Sequence, residues 1–225
     1  LNVMLAALAA KRGFFAEASP AGADAMVNYW KHVAKNDLFL THALLDPQLD
    51  KGKLRHQQSD PGICLRVVDE NADGLVLSGI KRIATAAPYA DELLVWPFPP
   101  TFQAGEEAYA NVFAVPMNSK GLKTICRVSY ANHGQRRDFP LSSRFDEMDA
   151  TVVFDNVLVP WDRVFVNQNV PLLNRMYRET RMRELTAHQT NARLEVKLGF
   201  VYALVQRLAE AQGLASRPEI MEMLG

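Results

Sequence analysis

The stretch Ile63-Cys-Leu-Arg-Val-Val-Asp-Glu-Asn-Ala-Asp-Gly-Leu-Val-Leu-Ser-Gly-Ile80 decides the fold class. Residues 63–70 and 75–80 are short, β-branched and apolar runs, the signature of strands. Between them Asn71-Ala-Asp-Gly74 reads as a tight turn, with Asp73-Gly74 supplying the positive φ that such hairpins favour. The period of two continues downstream. Strands are predicted at 92–96, 111–116, 122–128, 150–154 and 163–166, and most prolines fall at the edges and turns of this zone. Upstream the rhythm differs. Leu1, Met4, Leu5 and Leu8 recur at three and four residues, as on one helix face. Ser19-Pro-Ala-Gly22 interrupts, and a second helix is predicted from about 23 to 35 with Tyr29, Trp30 and Val33 on its apolar side. After residue 174 there is no glycine until Gly199, which predicts one long helix ending near Gly213. Ser216 with Glu219 opens another helix as cap and third-position acid. Helices, then an antiparallel β unit, then helices imply segregated layers, an α+β fold. The expected domains are 1–39, 40–168 and 169–225.

The composition narrows the function. The chain has 225 residues, with 25 Lys+Arg against 25 Asp+Glu, so its formal charge is zero. Neither nucleic acid nor an anionic membrane is an expected partner of a chain with no basic surplus. Hydrophobic residues make up 48% and charged residues 22%, ordinary globular usage. No apolar run approaches the ~18 residues of a membrane span. The chain opens on Leu1 with an apolar segment and no basic residues before it, and stops soon after a helix begins, so it reads as the middle of a longer protein and not as a secretory leader. Cys64 and Cys126 are too few for a disulfide scaffold and fit a reducing, cytoplasmic setting. There is no G-x-G-x-x-G after a strand and no phosphate-binding loop of the G-x-x-x-x-G-K-S/T type.

Few residues carry chemistry by spacing alone. None of the five histidines sits three or four residues from another His or Cys, so no metal site is expected. His42, in Leu40-Thr-His-Ala-Leu-Leu-Asp-Pro47, lies where helix gives way to sheet, a junction where clefts form. By spacing alone it is more often a loop histidine bonded to backbone. His188 shares an apolar stripe with Leu185, Ala192 and Val196, which fits a core histidine as readily as a functional one. Leu141-Ser-Ser-Arg-Phe-Asp-Glu147 fits a solvated turn with an Arg–carboxylate pair, and Trp161-Asp-Arg163 a packed strand end.

Five collinear segments add a resemblance. Phe39-Leu-Thr-His-Ala-Leu-Leu-Asp-Pro-Gln48, Gly74-Leu-Val-Leu-Ser-Gly-Ile-Lys-Arg-Ile-Ala-Thr85, Pro140-Leu-Ser-Ser-Arg-Phe-Asp-Glu147, Val153-Phe-Asp-Asn-Val-Leu-Val-Pro-Trp161 and Ala187-His-Gln189 resemble the 4-hydroxyphenylacetate 3-hydroxylase family, oxygenase component. The resemblance implies an acyl-CoA dehydrogenase-like fold: a central β-barrel or sandwich flanked by helical domains, the last one cut short here. It implies a two-component monooxygenase that converts a phenol to a catechol with O₂ and FADH₂ supplied by a separate flavin reductase. A homodimer or homotetramer of the full-length protein is expected. His42 matches a histidine touching both substrate hydroxyl and flavin edge. Ala43 and Leu44, the stretch Gln48, Leu49, Asp50 and Lys51, and Thr85 match flavin-binding positions. His188 resembles a second catalytic histidine facing the flavin. Phe98 and Pro99, followed by Pro100 and Thr101, stand where 4-hydroxyphenylacetate users place small hydroxyl residues for the substrate carboxylate. This departure implies a larger or less charged phenol.

The implied chemistry suits these residue types. The oxygen delivered by the flavin is electrophilic, so the ring it attacks must be electron-rich. A phenol of pKa ~10 beside an imidazole of pKa ~6.5 can lose proton density as the transition state forms. The site must also be dry, and burial between sheet and helices supplies that. Three other readings stay open. A 4-hydroxybutyryl-CoA dehydratase would need a cysteine where this chain has Glu195. An acyl-CoA dehydrogenase would need a carboxylate base. A non-catalytic assembly module would not bind reduced FAD.

Overall fold

A computed structural model describes residues 1–47, 50–98, 101–132 and 135–224. The chain forms two compact units, Leu1–Met182 and Arg183–Gly225.

The first unit opens with helices α1 (Asn2–Ala10), α2 (Arg12–Ala16) and α3 (Pro20–Asn36). Ser19 caps α3 by accepting from the Gly22 amide, with Pro20 at the first helical position where no donor is lost. The strands are β1 (Leu40–Ala43), β2 (Arg66–Glu70), β3 (Gly74–Thr85), β4 (Glu92–Val95), β5 (Val112–Pro116), β6 (Leu122–Cys126), β7 (Asp149–Pro160) and β8 (Val164–Val166). They make two four-stranded sheets, ordered β1-β4-β5-β8 and β2-β3-β7-β6. Helix α4 (Val170–Glu179) closes the unit.

The two sheets face each other. Ala43, Leu93, Val95 and Phe113 of one meet Leu75, Leu77, Val152 and Phe154 of the other in a shared core. The opposite face of the first sheet carries Leu40, Leu94, Trp96 and Ala114, which pack with Leu5, Phe15, Met26 and Leu173 from the helices. The first sheet is therefore buried on both sides, which explains its unbroken apolar run Leu93-Leu-Val-Trp96. The second sheet is covered on one face only, so β7 alternates buried and less buried positions. Gly22 marks how closely α3 approaches the sheet: a Cβ there would stand 2.9 Å from the Phe165 carbonyl oxygen. Buried Glu92 accepts from Arg163 at the strand-end turn, with His32 of α3 3.8 Å away on its other oxygen.

The architecture is α+β, as expected, with a sandwich and no closed barrel among the described residues. Gly74 has the expected positive φ, 157°, and the approach of β7 also requires it, since a Cβ would collide with the Val159 carbonyl, while Asn71 makes the turn by accepting from the Asp73 and Gly74 amides. Three details differ from the sequence reading. β1 was not expected as a strand, and it pairs with β4 in parallel because the β2–β3 hairpin intervenes in the other sheet. The expected single long helix is two, α4 and α5 (Met182–Ala211), broken at Arg181, which adopts φ 57°. Helix α2 was not expected at all.

The second unit holds most of α5 and then α6 (Pro218–Leu224). Val196, Leu198, Phe200 and Tyr202 of α5 are exposed. Among the described residues no helix is long and apolar enough to cross a membrane.

Candidate functional site

β1 is the outer strand of its sheet, so one side of its backbone has no strand partner among the described residues. Successive side chains of a strand point to opposite faces. Thr41 and Ala43 accordingly enter the inter-sheet side, with Ala43 fully buried, while His42 turns to the helix side. Ala43 thus presents no accessible atom, backbone included.

The His42 ring stacks on Trp96, centroids 5.3 Å apart and planes 18° apart. The Trp96 indole N–H donates to the Tyr177 hydroxyl of α4 at 2.8 Å. Tyr177 in turn packs against Phe98 at 5.3 Å. Burial lowers the His42 pKa, so the imidazole is neutral near pH 7. Among the described residues neither ring nitrogen of His42 has a hydrogen-bond partner, leaving one donor and one acceptor for a ligand.

The loop after β1 is anchored by a buried charge cluster. Asp46 accepts from Lys81 Nζ and from Arg55 Nε, each at 2.6 Å. Arg55 also donates to fully buried Glu106 at 3.0 Å and stacks over Phe102 at 4.2 Å. The second Glu106 oxygen accepts from the Gln103 amide. Burial alone would raise the Asp46 pKa, but the two cations overcome it and hold the carboxyl below its usual range. The Leu44 carbonyl accepts from Lys81 Nζ and from the Phe98 amide, joining β1 to the segment that follows β4. Asp50 closes its own turn, accepting from the Gly52 amide and pairing with Lys53, while Lys51 is exposed beside it.

Thr85, at the end of β3, is held at two atoms. Its carbonyl accepts from the Thr41 hydroxyl at 2.5 Å, and its own hydroxyl donates to Asp149 at 2.6 Å. Asp149 also faces Arg127, 3.4 Å away.

Of the positions singled out in the sequence, His42, Ala43, Leu44, Phe98 and Thr85 are brought together around β1 by these contacts. Asp50 and Lys51 follow in the anchored loop. Gln48, Leu49 and Pro99 lie outside the described residues. His188 is exposed on α5 in the second unit, as are Leu185, Ala192 and Val196 of its expected stripe. Sequence reading missed Tyr177, Arg55, Lys81, Glu106 and Asp149. None has a spacing signal, since each is tied to at least one partner 35 or more positions away. Among the described residues no group of three or more His, Cys, Asp or Glu could hold a metal ion.

Comparison with known proteins places this geometry. A Geobacillus protein named 4-hydroxyphenylacetate 3-monooxygenase oxygenase component is 40% identical over 217 residues, covering 95% of this chain and 44% of its own length. The chain therefore spans under half the length of that curated relative. A crystal structure of the oxygenase component of 4-hydroxyphenylacetate 3-monooxygenase, complexed with FAD and 4-hydroxyphenylacetate, superposes with a TM-score of 0.89 at 37% identity, covering all of this chain and 46% of that one. A 4-hydroxybutyryl-CoA dehydratase from N. maritimus shares the fold alone, at 20% identity and a TM-score of 0.79, in keeping with the acyl-CoA dehydrogenase-like class. The profile described as 4-hydroxyphenylacetate 3-hydroxylase N terminal matches residues 1–166, and the chain belongs to that family.

Proposed function

We propose that this chain forms the substrate- and flavin-facing part of the oxygenase component of a two-component monooxygenase, which hydroxylates a phenol ortho to its hydroxyl with O₂ and reduced FAD. The observation that carries the reading is His42: half-buried, neutral, stacked on Trp96, with both ring nitrogens unengaged among the described residues.

The residues present fit a flavin. Its ring is flat and apolar with a polar rim of donors and acceptors. The half-buried His42 ring can face such a rim, Ala43 and Leu44 are assigned to the cofactor by family resemblance, and the Thr85 hydroxyl lies at the end of β3 in the facing sheet. Gln48, Leu49, Asp50 and Lys51 are assigned to the same cofactor by family resemblance. When bound, reduced FAD supplies the two electrons that let one oxygen atom of O₂ enter the ring while the other leaves as water.

The chain's own part is proton handling and exclusion of solvent. The acceptor nitrogen of His42 takes a hydrogen bond from the phenol hydroxyl and draws its proton as negative charge develops on the ring, assistance worth about 10²–10⁴-fold. Trp96 fixes the plane of the imidazole. Phe98, with Pro99 beside it in sequence and Tyr177 against its ring, forms an apolar wall toward the rest of the substrate. Phe98-Pro-Pro100 in place of small hydroxyl residues favours a phenol larger or less charged than 4-hydroxyphenylacetate. His188 is assigned a second role near the flavin on resemblance alone.

We further infer a separate flavin reductase as partner, a homodimer or homotetramer as the working form, a cytoplasmic location consistent with two free cysteines, and domain limits of 1–39, 40–168 and 169–225. The test is to give the full-length protein reduced FAD, O₂ and a panel of phenols, and to score catechol against H₂O₂. Catechol from at least one phenol is expected. H₂O₂ alone with every phenol overturns the proposal.

A further inference from the structure

Thr85 and Asp149 are cross-strand partners on β3 and β7. The Thr85 hydroxyl donates to Asp149 Oδ1 at 2.6 Å. On its other oxygen Asp149 faces Arg127 Nε at 3.4 Å. Arg127 is itself fixed: it donates to Asp146 at 2.5 Å and lies over the Tyr130 ring at 4.1 Å. Asp146 accepts from the Ser129 hydroxyl and the Tyr130 amide as well. Most of the segment Leu141-Ser-Ser-Arg-Phe-Asp-Glu147, which no catalytic role absorbs, is surface, but its Asp146 anchors the arginine that faces Asp149.

A carboxylate has acceptors and no donor, and a threonine hydroxyl has a single hydrogen. With that hydrogen given to Asp149, Thr85 Oγ1 can only accept from anything else. The Thr41 hydroxyl on the Thr85 carbonyl holds the residue in place from the other sheet. We propose that Asp149 is a positioning residue that makes Thr85 an obligate acceptor, so that the site takes an N–H which a flavin ring carries in its reduced form and lacks in its oxidised form.

This inference rests on the flavin-binding reading above and adds a selection to it. A chain that receives reduced FAD by diffusion and must release oxidised FAD gains from a contact that exists with one form and not the other. An acceptor facing an N–H is a hydrogen bond; the same acceptor facing a lone pair is repulsive.

The experiment measures dissociation constants of full-length protein for FAD, and anaerobically for dithionite-reduced FAD. It uses wild type, Thr85→Val, Asp149→Ala and the double variant. Wild type is expected to favour the reduced form. Thr85→Val, isosteric and hydroxyl-free, is expected to cut the preference about tenfold, the scale of one hydrogen bond. Asp149→Ala is expected to do the same, with no further change in the double variant, because it acts through Thr85. A wild-type preference that survives Thr85→Val overturns the proposal whether or not Asp149→Ala folds. So does an Asp149→Ala effect that persists in the Thr85→Val background, or an equal loss of affinity for both forms. A wild type that binds FAD without redox preference sinks this inference and leaves the flavin reading standing. A wild type that binds neither form sinks both.

Discussion

The imidazole of His42 and the indole of Trp96 lie nearly parallel, 5.3 Å between centroids, on the side of the first sheet that faces the helices. The indole N–H is spent on Tyr177, so the ring that orients the histidine is itself tied to α4. Replacing Trp96 by Phe keeps an aromatic surface and removes that tie. Stability is expected to fall by about 1 kcal/mol, the net value of one hydrogen bond, with a matching drop in thermal midpoint. Catechol yield per reduced flavin is expected to fall as well, which product analysis would read.

His42→Ala removes the proposed acceptor of the phenol proton. Hydroxylation is expected to drop about 10²–10⁴-fold while the reductase continues to consume NADH and H₂O₂ accumulates. Hydroxylation at the wild-type rate would take His42 out of the mechanism.

Burial holds the His42 pKa below its usual 6.5. In the window between 6.5 and the lower native value, the unfolded chain binds a proton that the native chain does not. Stability therefore falls as pH falls through that window, and His42→Gln is expected to flatten this slope. The acid limb of activity is expected below pH 6.5 for the same reason. Proton NMR of the imidazole would give the value directly.

The Lys81–Asp46–Arg55–Glu106 cluster offers a stability test away from the chemistry. Glu106→Leu strips half-buried Arg55 of one partner and removes the acceptor of the Gln103 amide. A loss of about 3–5 kcal/mol is expected from chemical denaturation. Asp46, held below its usual pKa of 3.8, contributes stability that is present above that value and is lost as pH falls through its native pKa. Acid unfolding of Lys81→Met is expected to begin at higher pH than that of wild type.

The sheets and their order of appearance were legible because the second sheet, wet on one face, writes alternation into β3 and β7. The first sheet was legible through its apolar runs at β4 and β5. β1 and its parallel pairing with β4 were not, because four residues carry neither a clear period nor a record of which strand they will meet. Arg181 looks like any helical arginine in an Arg-rich stretch, so the break between α4 and α5 left no mark. At the site, His42 and Thr85 stood out only through their surrounding motif. Tyr177 and Asp149 had no signal, since what makes them interesting is a hydrogen bond to a residue 81 positions away in one case and 64 in the other.

Because the first sheet is sealed on both faces, its strands cannot be laid bare by peeling back a single layer. Either the helices or the opposing sheet must come away, and each carries a large share of the apolar contacts. Amide hydrogens of β4 and β5 should therefore exchange with deuterium last of all in the first unit, by events close to complete unfolding.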